Sequence, residues 1–352
     1  MKILILALSG IGDALMFTPA LGLLRKNMPN ARIDALVMFK GVKDMYERNK
    51  NINNVYHFDF MKEGAVKSLR YIFSLRGSYD ATINVYPSNR KEYNIINYLI
   101  GAKQRAGTRY LRGDGANLGM LNNIRITESD SAHNVETNIK LVGKLIKKEL
   151  NEKPDLDFSL SVDDELTAIN ILRSFNINDD DFVVGFHPGC ATLKNHKNRR
   201  WEPEKFAELG TRFINERKAK ILIFGGPEEN ELKENIAGQI NNPDAFVVNS
   251  NNLAQTAAVI KRCNLFITND SSLMHAASAM KRKVIAIIGP TNPRYIYPWN
   301  TDHKIVSLNL SCAPCFIYSP RPLTCARQDL KFKCIKELTV DMVMQAADEL
   351  VI

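Results

Sequence analysis

Ser9-Gly10-Ile11-Gly12-Asp13-Ala14-Leu15, directly after the apolar run 3–8, decides how this 352-residue chain is read. A second segment of the same kind, Asn269-Asp270-Ser271-Ser272-Leu273-Met274-His275, follows the apolar run 265–268 about 260 residues later. Each reads as a buried strand, a tight turn and the opening of a helix. In α/β proteins ligands sit at strand carboxyl ends, beside helix N-termini that favour anionic groups. The pair predicts an α/β chain of two domains facing one cleft, with one reactant for each domain.

Outward from these segments the alternation continues. In the first half the expected strands are 2–8, 32–37, 55–58, 81–85 and 104–107, and the helices 13–26, 42–47, 64–75, 90–100 and 135–150. Such alternation implies a parallel sheet covered on both faces. Leu15, Ala20, Leu23 and Leu24 make a buried stripe on the first helix, and Pro19 within it predicts a kink or a local break. The stretch 151–181, with Pro154, Asp163-Asp164 and Asp179-Asp180-Asp181, reads as a boundary, and Asp163 fits the N-cap of a helix over 165–175. A second set follows: strands 182–187, 219–224, 245–248, 265–268, 283–288 and 304–307, and helices 203–217, 228–239, 253–261, 272–280 and 339–352. The expected division is a domain over 1–160, a second over 181–335, and a C-terminal helical segment, 336–352.

The length favours two cores over one. No apolar run approaches the ~20 residues of a membrane span. The first run is interrupted by Gly-Asp rather than by a small-residue cleavage site, so it reads as a buried strand and the protein as cytoplasmic. The formal charge of +9 is unevenly spread. Residues 1–150 carry 23 Lys and Arg against 13 Asp and Glu, and the remainder 24 against 25. A basic N-terminal half suits a phosphorylated glycolipid, a membrane surface or nucleic acid, or is a solvated face with compositional drift. Without a basic arm or a recognisable motif, nucleic acid is set aside. Four of six cysteines lie in Cys312-x2-Cys315-x9-Cys325-x8-Cys334. In a reducing compartment such a cluster suggests a metal site or buried thiols, with a disulfide as the remaining alternative. Its second pair is too widely spaced for a common zinc ribbon.

Several motifs carry chemistry. A dinucleotide fingerprint needs a third glycine where Leu15 stands and an acid at the end of the second strand, whereas Asp34 lies inside it, which disfavours a nicotinamide enzyme. Asp13, beside Ser9, Gly10 and Gly12, is either a cap or a carboxylate kept ionised at a helix start, the form a general base needs. His187-Pro188-Gly189 is followed by Lys194, Lys197, Arg199, Arg200 and Trp201, a density of positive charge suited to a diphosphate or else an exposed basic loop. In Phe224-Gly225-Gly226-Pro227-Glu228-Glu229 the acids are helix-dipole partners or bind a sugar hydroxyl. Backbone N–H groups at Ser271, Ser272 and Leu273 suit a phosphate, with Asp270 on sugar hydroxyls or capping the helix. Ile288-Gly289-Pro290-Thr291-Asn292-Pro293, with Trp299 beyond, reads as a further wall.

In this order the motifs resemble glycosyltransferase family 9, the heptosyltransferases of lipopolysaccharide assembly, across nearly the whole chain. The resemblance rests on KILILALSGIGDALMFTPALGLLRKNMPNARIDALV at 2–37, AHNVETNIKLVG at 132–143, HPG at 187–189 and RRWEPEKFAEL at 199–209. It continues through FGGPEE at 224–229, TNDSSLMHAASAM at 268–280, IIGPTNP at 287–293 and the CAPC motif with its two later cysteines. It implies two Rossmann-like domains of the GT-B type, an N-terminal one for the acceptor and a C-terminal one for a nucleotide-sugar donor such as ADP-heptose. It also implies inverting transfer to an anionic glycolipid, no obligatory metal or cofactor, and peripheral contact with the cytoplasmic face of the inner membrane. On the family pattern Asp13 matches the base. Arg199 or Arg200 matches the basic position before the tryptophan, and Asp270, Ser271, Ser272, Leu273 and His275 match the donor loop. Lys197 and Glu228 join the expected donor side. Two positions depart: Ser272 stands where glycine is common, and Arg199 where lysine is. Ser272 keeps open a second reading, a nucleotide-sugar or polyanion binder without turnover.

Overall fold

The computed structural model describes residues 1–317 and 322–351. It divides into two compact units, Met1–Ser159 and Leu160–Ile352. The first holds β1 Lys2–Ala7, β2 Arg32–Val37, β3 Asn54–His57, β4 Ala81–Asn84, β5 Gln104–Arg109 and β6 Ile124–Thr127, ordered β3-β2-β1-β4-β5-β6. The second holds β7 Val183–His187, β8 Lys220–Ile223, β9 Ala245–Val247, β10 Leu265–Asn269, β11 Lys283–Ile287 and β12 His303–Val306, ordered β12-β11-β10-β7-β8-β9. All neighbouring strands pair in parallel. Counted from each unit's first strand, both sheets have the same doubly wound order, 3-2-1-4-5-6. The order reverses between the first and fourth strands, so each ligand crevice belongs at the carboxyl ends of that pair. These are β1 with β4, and β7 with β10.

The central strands are continuous apolar runs because helices cover both faces. Ile3, Leu4 and Ile5 are wholly buried, as are Leu265, Phe266 and Ile267. Asp34 is buried in mid-strand, where Tyr79, Arg32 and Asn54 donate to its carboxylate. In the second unit Trp201 is fully buried, 5.1 Å from Phe206 between ring centres, and its Nε1 donates to the Leu338 carbonyl at 2.9 Å. This anchors the end of the basic loop in the core.

Local expectations fail in instructive places. The break at Pro19 does not occur, and the helix Ile11–Asn27 runs through it. Proline leaves the Leu15 carbonyl without its helical donor. The Thr18 hydroxyl donates to that carbonyl at 2.8 Å, and the Asp157 N–H donates to the Thr18 hydroxyl at 2.8 Å. Asp163 is not a cap. Ser161 caps the helix Val162–Ser174 in a reciprocal box with Asp164. The helix expected over 228–239 is a 3-10 turn, Pro227–Glu229, followed by an α-helix, Asn230–Ile240. Strand β6 was not expected. The last helix spans Val340–Val351, and its expected final residue, 352, lies outside the described residues.

Candidate functional site

At the switch point of the second unit, His187 closes β7 and Asn269 closes β10, with Asp270 and Ser271 directly after it. Asn269 ties the two strand ends and the basic loop together. Its Nδ2 donates to the Pro188 carbonyl at 2.7 Å, and its Oδ1 accepts the Trp201 N–H at 3.0 Å. Arg199 and Arg200 are thereby set beside the strand ends, each held by a carboxylate. Arg199 Nη1 donates to Asp270 Oδ2 at 2.5 Å, where the Thr291 hydroxyl donates as well at 2.6 Å. Arg200 Nη2 donates to Glu229 Oε1 at 2.6 Å and to the Cys190 carbonyl at 2.8 Å. The Arg200 Nε is buried without a hydrogen bond.

Glu229 organises the rest. Its Oε2 accepts the Gly226 N–H at 3.1 Å and lies 3.2 Å from His187 Nε2. Burial alone would raise its pKa, but hydrogen bonding and charge from His187, then the Gly226 N–H and Arg200, outweigh that and lower it. An ionised carboxylate only accepts, so His187 Nε2 donates to it, and His187 Nδ1 lies 2.8 Å from the Ser271 hydroxyl, in hydrogen-bond contact. The Ser271 hydroxyl is thus turned to His187 and does not cap the helix Ser272–Ala279. That helix opens just after Asp270, the residue that holds Arg199, and helix-start N–H groups beside a guanidinium group suit a phosphate chain. A Cβ at Gly189 would stand 1.9 Å from Glu229 Oε1, so only glycine permits this approach of backbone to carboxylate.

His275, one turn into the helix, is buried, and its Nδ1 has no hydrogen-bond partner. Burial pulls its pKa down to about 4, opposed by Asp270. Leu273 is buried and Ser272 half-buried at the first helical position. Lys197 and Glu228 are exposed; the acid in the cluster is Glu229. Sequence reasoning also missed Phe316. The loop that carries Cys315 returns to the site, with the Cys315 and Phe316 N–H groups on the Pro290 carbonyl, and places the Phe316 ring 5.1 Å from the Arg199 guanidinium.

The first unit has its own constellation at the ends of β1 and β4. Gly10 precedes the helix Ile11–Asn27, Asp13 is half-buried at its third residue, and Asp13 Oδ2 accepts the Gly10 N–H at 3.2 Å. The turn is pinned from several sides. The Ser9 hydroxyl donates to the Pro87 carbonyl at 2.7 Å, Tyr93 to Leu8 and Tyr46 to Ala14, both at 2.8 Å. Burial pushes the Tyr93 phenol up to about 12, Arg90 pulls it down, and the Asp13 charge adds to the rise. Arg90, 5.6 Å from the Tyr93 ring, thus shares that ring's surroundings with Asp13, whereas sequence reasoning took it only for a helix start.

All six cysteines are free thiols. In the C-terminal cluster Phe332 N–H donates to Cys325 Sγ at 3.3 Å and Arg327 Nη1 to Cys312 Sγ at 3.7 Å. Burial, then the proximity of Cys315, Cys325 and Cys312, pushes Cys334 up to about 11. Among the described residues no three His, Cys, Asp or Glu side chains form a metal-holding group.

The model of glycosyltransferase family 9 (heptosyltransferase) matches residues 69–322. Lipooligosaccharide heptosyltransferase 2 of Campylobacter jejuni is 33% identical over 173 residues, 48% of this chain and 50% of that protein. This chain thus matches about half the length of that relative. Lipopolysaccharide heptosyltransferase 2 of Salmonella typhimurium is 25% identical over 319 residues, 88% of each chain. Among solved structures, the Escherichia coli ADP-heptose lipopolysaccharide heptosyltransferase II superposes with a TM-score of 0.75 at 20% identity, covering 100% of this chain and 98% of that one. The chain belongs to glycosyltransferase family 9.

Proposed function

We propose that this family 9 glycosyltransferase moves a heptose-like sugar, with inversion, from a nucleotide-diphosphate donor to a lipopolysaccharide-type or other lipid-linked acceptor. The carrying observation is the constellation at the second unit's switch point: Arg199 on Asp270, Arg200 on Glu229, and the open helix start at Ser271. The donor diphosphate would lie between the guanidinium groups and the helix N–H groups. The donor sugar and ribose hydroxyls would reach Asp270 and its neighbours. The heptosyltransferase relatives and the ADP-heptose enzyme of like fold favour an ADP-heptose-like donor.

In this reading the first unit takes the acceptor. As the acceptor hydroxyl attacks the anomeric carbon, Asp13 removes its proton. The bond from that carbon to the diphosphate oxygen breaks, and the electron pair leaves with the diphosphate. One displacement inverts the centre and requires no enzyme nucleophile. Arg199, Arg200 and the helix start stabilise the departing charge, the effect usually largest in such sites, and turnover is expected to survive chelation by EDTA. Work at the cytoplasmic face of the inner membrane follows from the acceptor class. No helix among the described residues is long and apolar enough to cross a membrane.

The test is transfer from ADP-heptose to a heptose-deficient lipopolysaccharide core, read by mass spectrometry of the acceptor and by the anomeric configuration of the product. A β-configured donor giving an α-linked product supports the reading. Nucleotide-sugar binding with neither transfer nor hydrolysis would make the chain a binder without turnover.

A further inference from the structure

Helix Gly64–Ser74 is amphipathic, and only part of its apolar face is covered. Ile72 is buried, with Tyr71 and Leu75 partly buried against the first unit's core. Next to Ile72 around the helix, Val66, Leu69 and Phe73 recur at i, i+3 and i+7 and are 82%, 44% and 49% exposed, with Met61 in the preceding turn at 62%. At 100° per residue these three helical positions span about 60°, a single strip. Lys62, Lys67, Arg70 and Arg76 are all exposed around it. The Arg76 guanidinium lies 5.7 Å over the Phe73 ring, so the cation rims the apolar strip rather than standing apart. Glu63 and Asp59 offset Lys67 and Lys62 and leave the segment basic.

Scattered exposed hydrophobics need no explanation, but a strip of four with a cationic rim does. We propose that this strip is a docking face for an anionic lipid bilayer, lying in the interface with Met61, Val66, Leu69 and Phe73 among the acyl chains. Charge decides between occupants. A second copy of this chain would set basic rim against basic rim, whereas an anionic headgroup layer neutralises it. The topology gives the docking a use. A parallel sheet brings all its strand carboxyl ends to one rim, and Met61 and Gly64 follow β3 there, on the rim that carries the Asp13 turn. A lipid-anchored acceptor held in that bilayer would present its saccharide to the same rim. That last step rests on the proposed function; the docking itself does not.

Sedimentation with vesicles of phosphatidylcholine containing phosphatidylglycerol, against phosphatidylcholine alone, tests the face without any acceptor present. The parent should bind the anionic vesicles and be released by salt. Val66→Glu with Leu69→Glu and Phe73→Glu should weaken that binding roughly tenfold or more. Lys62→Gln with Arg70→Gln should abolish the preference for anionic over neutral vesicles. Transfer to a delipidated, soluble acceptor should be the same for parent and triple variant, which separates this proposal from failure of the catalytic reading. Anionic binding unchanged in the triple variant overturns the proposal. So does a parent dimer, seen by analytical ultracentrifugation, that the triple variant dissolves, because the strip would then cover a second copy.

Discussion

At the scale of single residues, the chemistry turns on groups whose surroundings fix their state. Asp13 sits beside a turn pinned by three hydroxyl donors, and its carboxylate accepts the Gly10 N–H. Asparagine keeps an acceptor for that N–H but cannot take a proton. Asp13→Asn should therefore lower transfer about 10²–10⁴-fold, the usual worth of a general base, with nucleotide affinity and melting temperature nearly unchanged. Wild-type turnover in that variant would reduce Asp13 to a helix-start partner. His275 makes a pH prediction. Its folded pKa is depressed to about 4 from 6.5, so between these values the unfolded chain binds a proton that the native state does not. Stability is fully present above 6.5 and is lost as pH falls toward 4, by up to about 3 kcal/mol at ~1.4 kcal/mol per unit. His275→Asn should remove that part of the slope, and urea midpoints of the two proteins at pH 7.5, 6 and 5 check it; parallel slopes would refute it. At this scale the sequence was legible where identity alone carries charge, as at Arg199, Arg200 and Asp270. It was not legible at Glu228 and Glu229. Which of two adjacent acids turns inward depends on the 3-10 turn Pro227–Glu229, a local geometry that composition does not announce.

At the scale of elements, buried parallel strands were easy to read because helices on both faces make them uninterrupted apolar runs. β6 was missed for the converse reason: Ile124-Arg125-Ile126-Thr127 is a half-buried edge strand whose alternating pattern is only four residues long. Pro19 misled because the neighbouring Thr18 hydroxyl, itself held by the distant Asp157 N–H, replaces the donor that proline removes. The cysteine loop misled in another way. Read along the chain it follows every site motif, yet in space it returns to Pro290 and sets Phe316 beneath Arg199. Phe316→Ala should therefore weaken nucleoside diphosphate binding, by about 0.5–2 kcal/mol, because the Arg199 guanidinium loses its aromatic support. Calorimetric titration decides this, and an unchanged dissociation constant would detach the loop from the site.

At the scale of the whole molecule, the alternation of strands and helices announced two α/β units, but not that their sheets share one strand order, since alternation says nothing about which strands become neighbours. Each unit has its own buried cluster, the second built around Trp201, Phe206, Phe213 and the helix Val340–Val351. A fragment spanning 160–352 should therefore fold cooperatively and keep the parent's affinity for a nucleoside diphosphate while losing transfer; a fragment that binds none would show that the donor site is incomplete in one unit. The shared strand order has a kinetic consequence as well. β1 pairs with β2 through Lys2 and Arg32, but with β4 through Ile3 and Ala81; β7 pairs with β8 through Val183 and Lys220, but with β10 through Val184 and Leu265. The longer loop is entropically costlier to close and slower to form. Pulse-labelled hydrogen exchange during refolding should find β1–β2 and β7–β8 amides protected before those joining β1 to β4 and β7 to β10. Each crevice would then be the last seam to knit as the polypeptide condenses, and a nascent chain on the ribosome could not assemble either one until two intervening strands had already emerged.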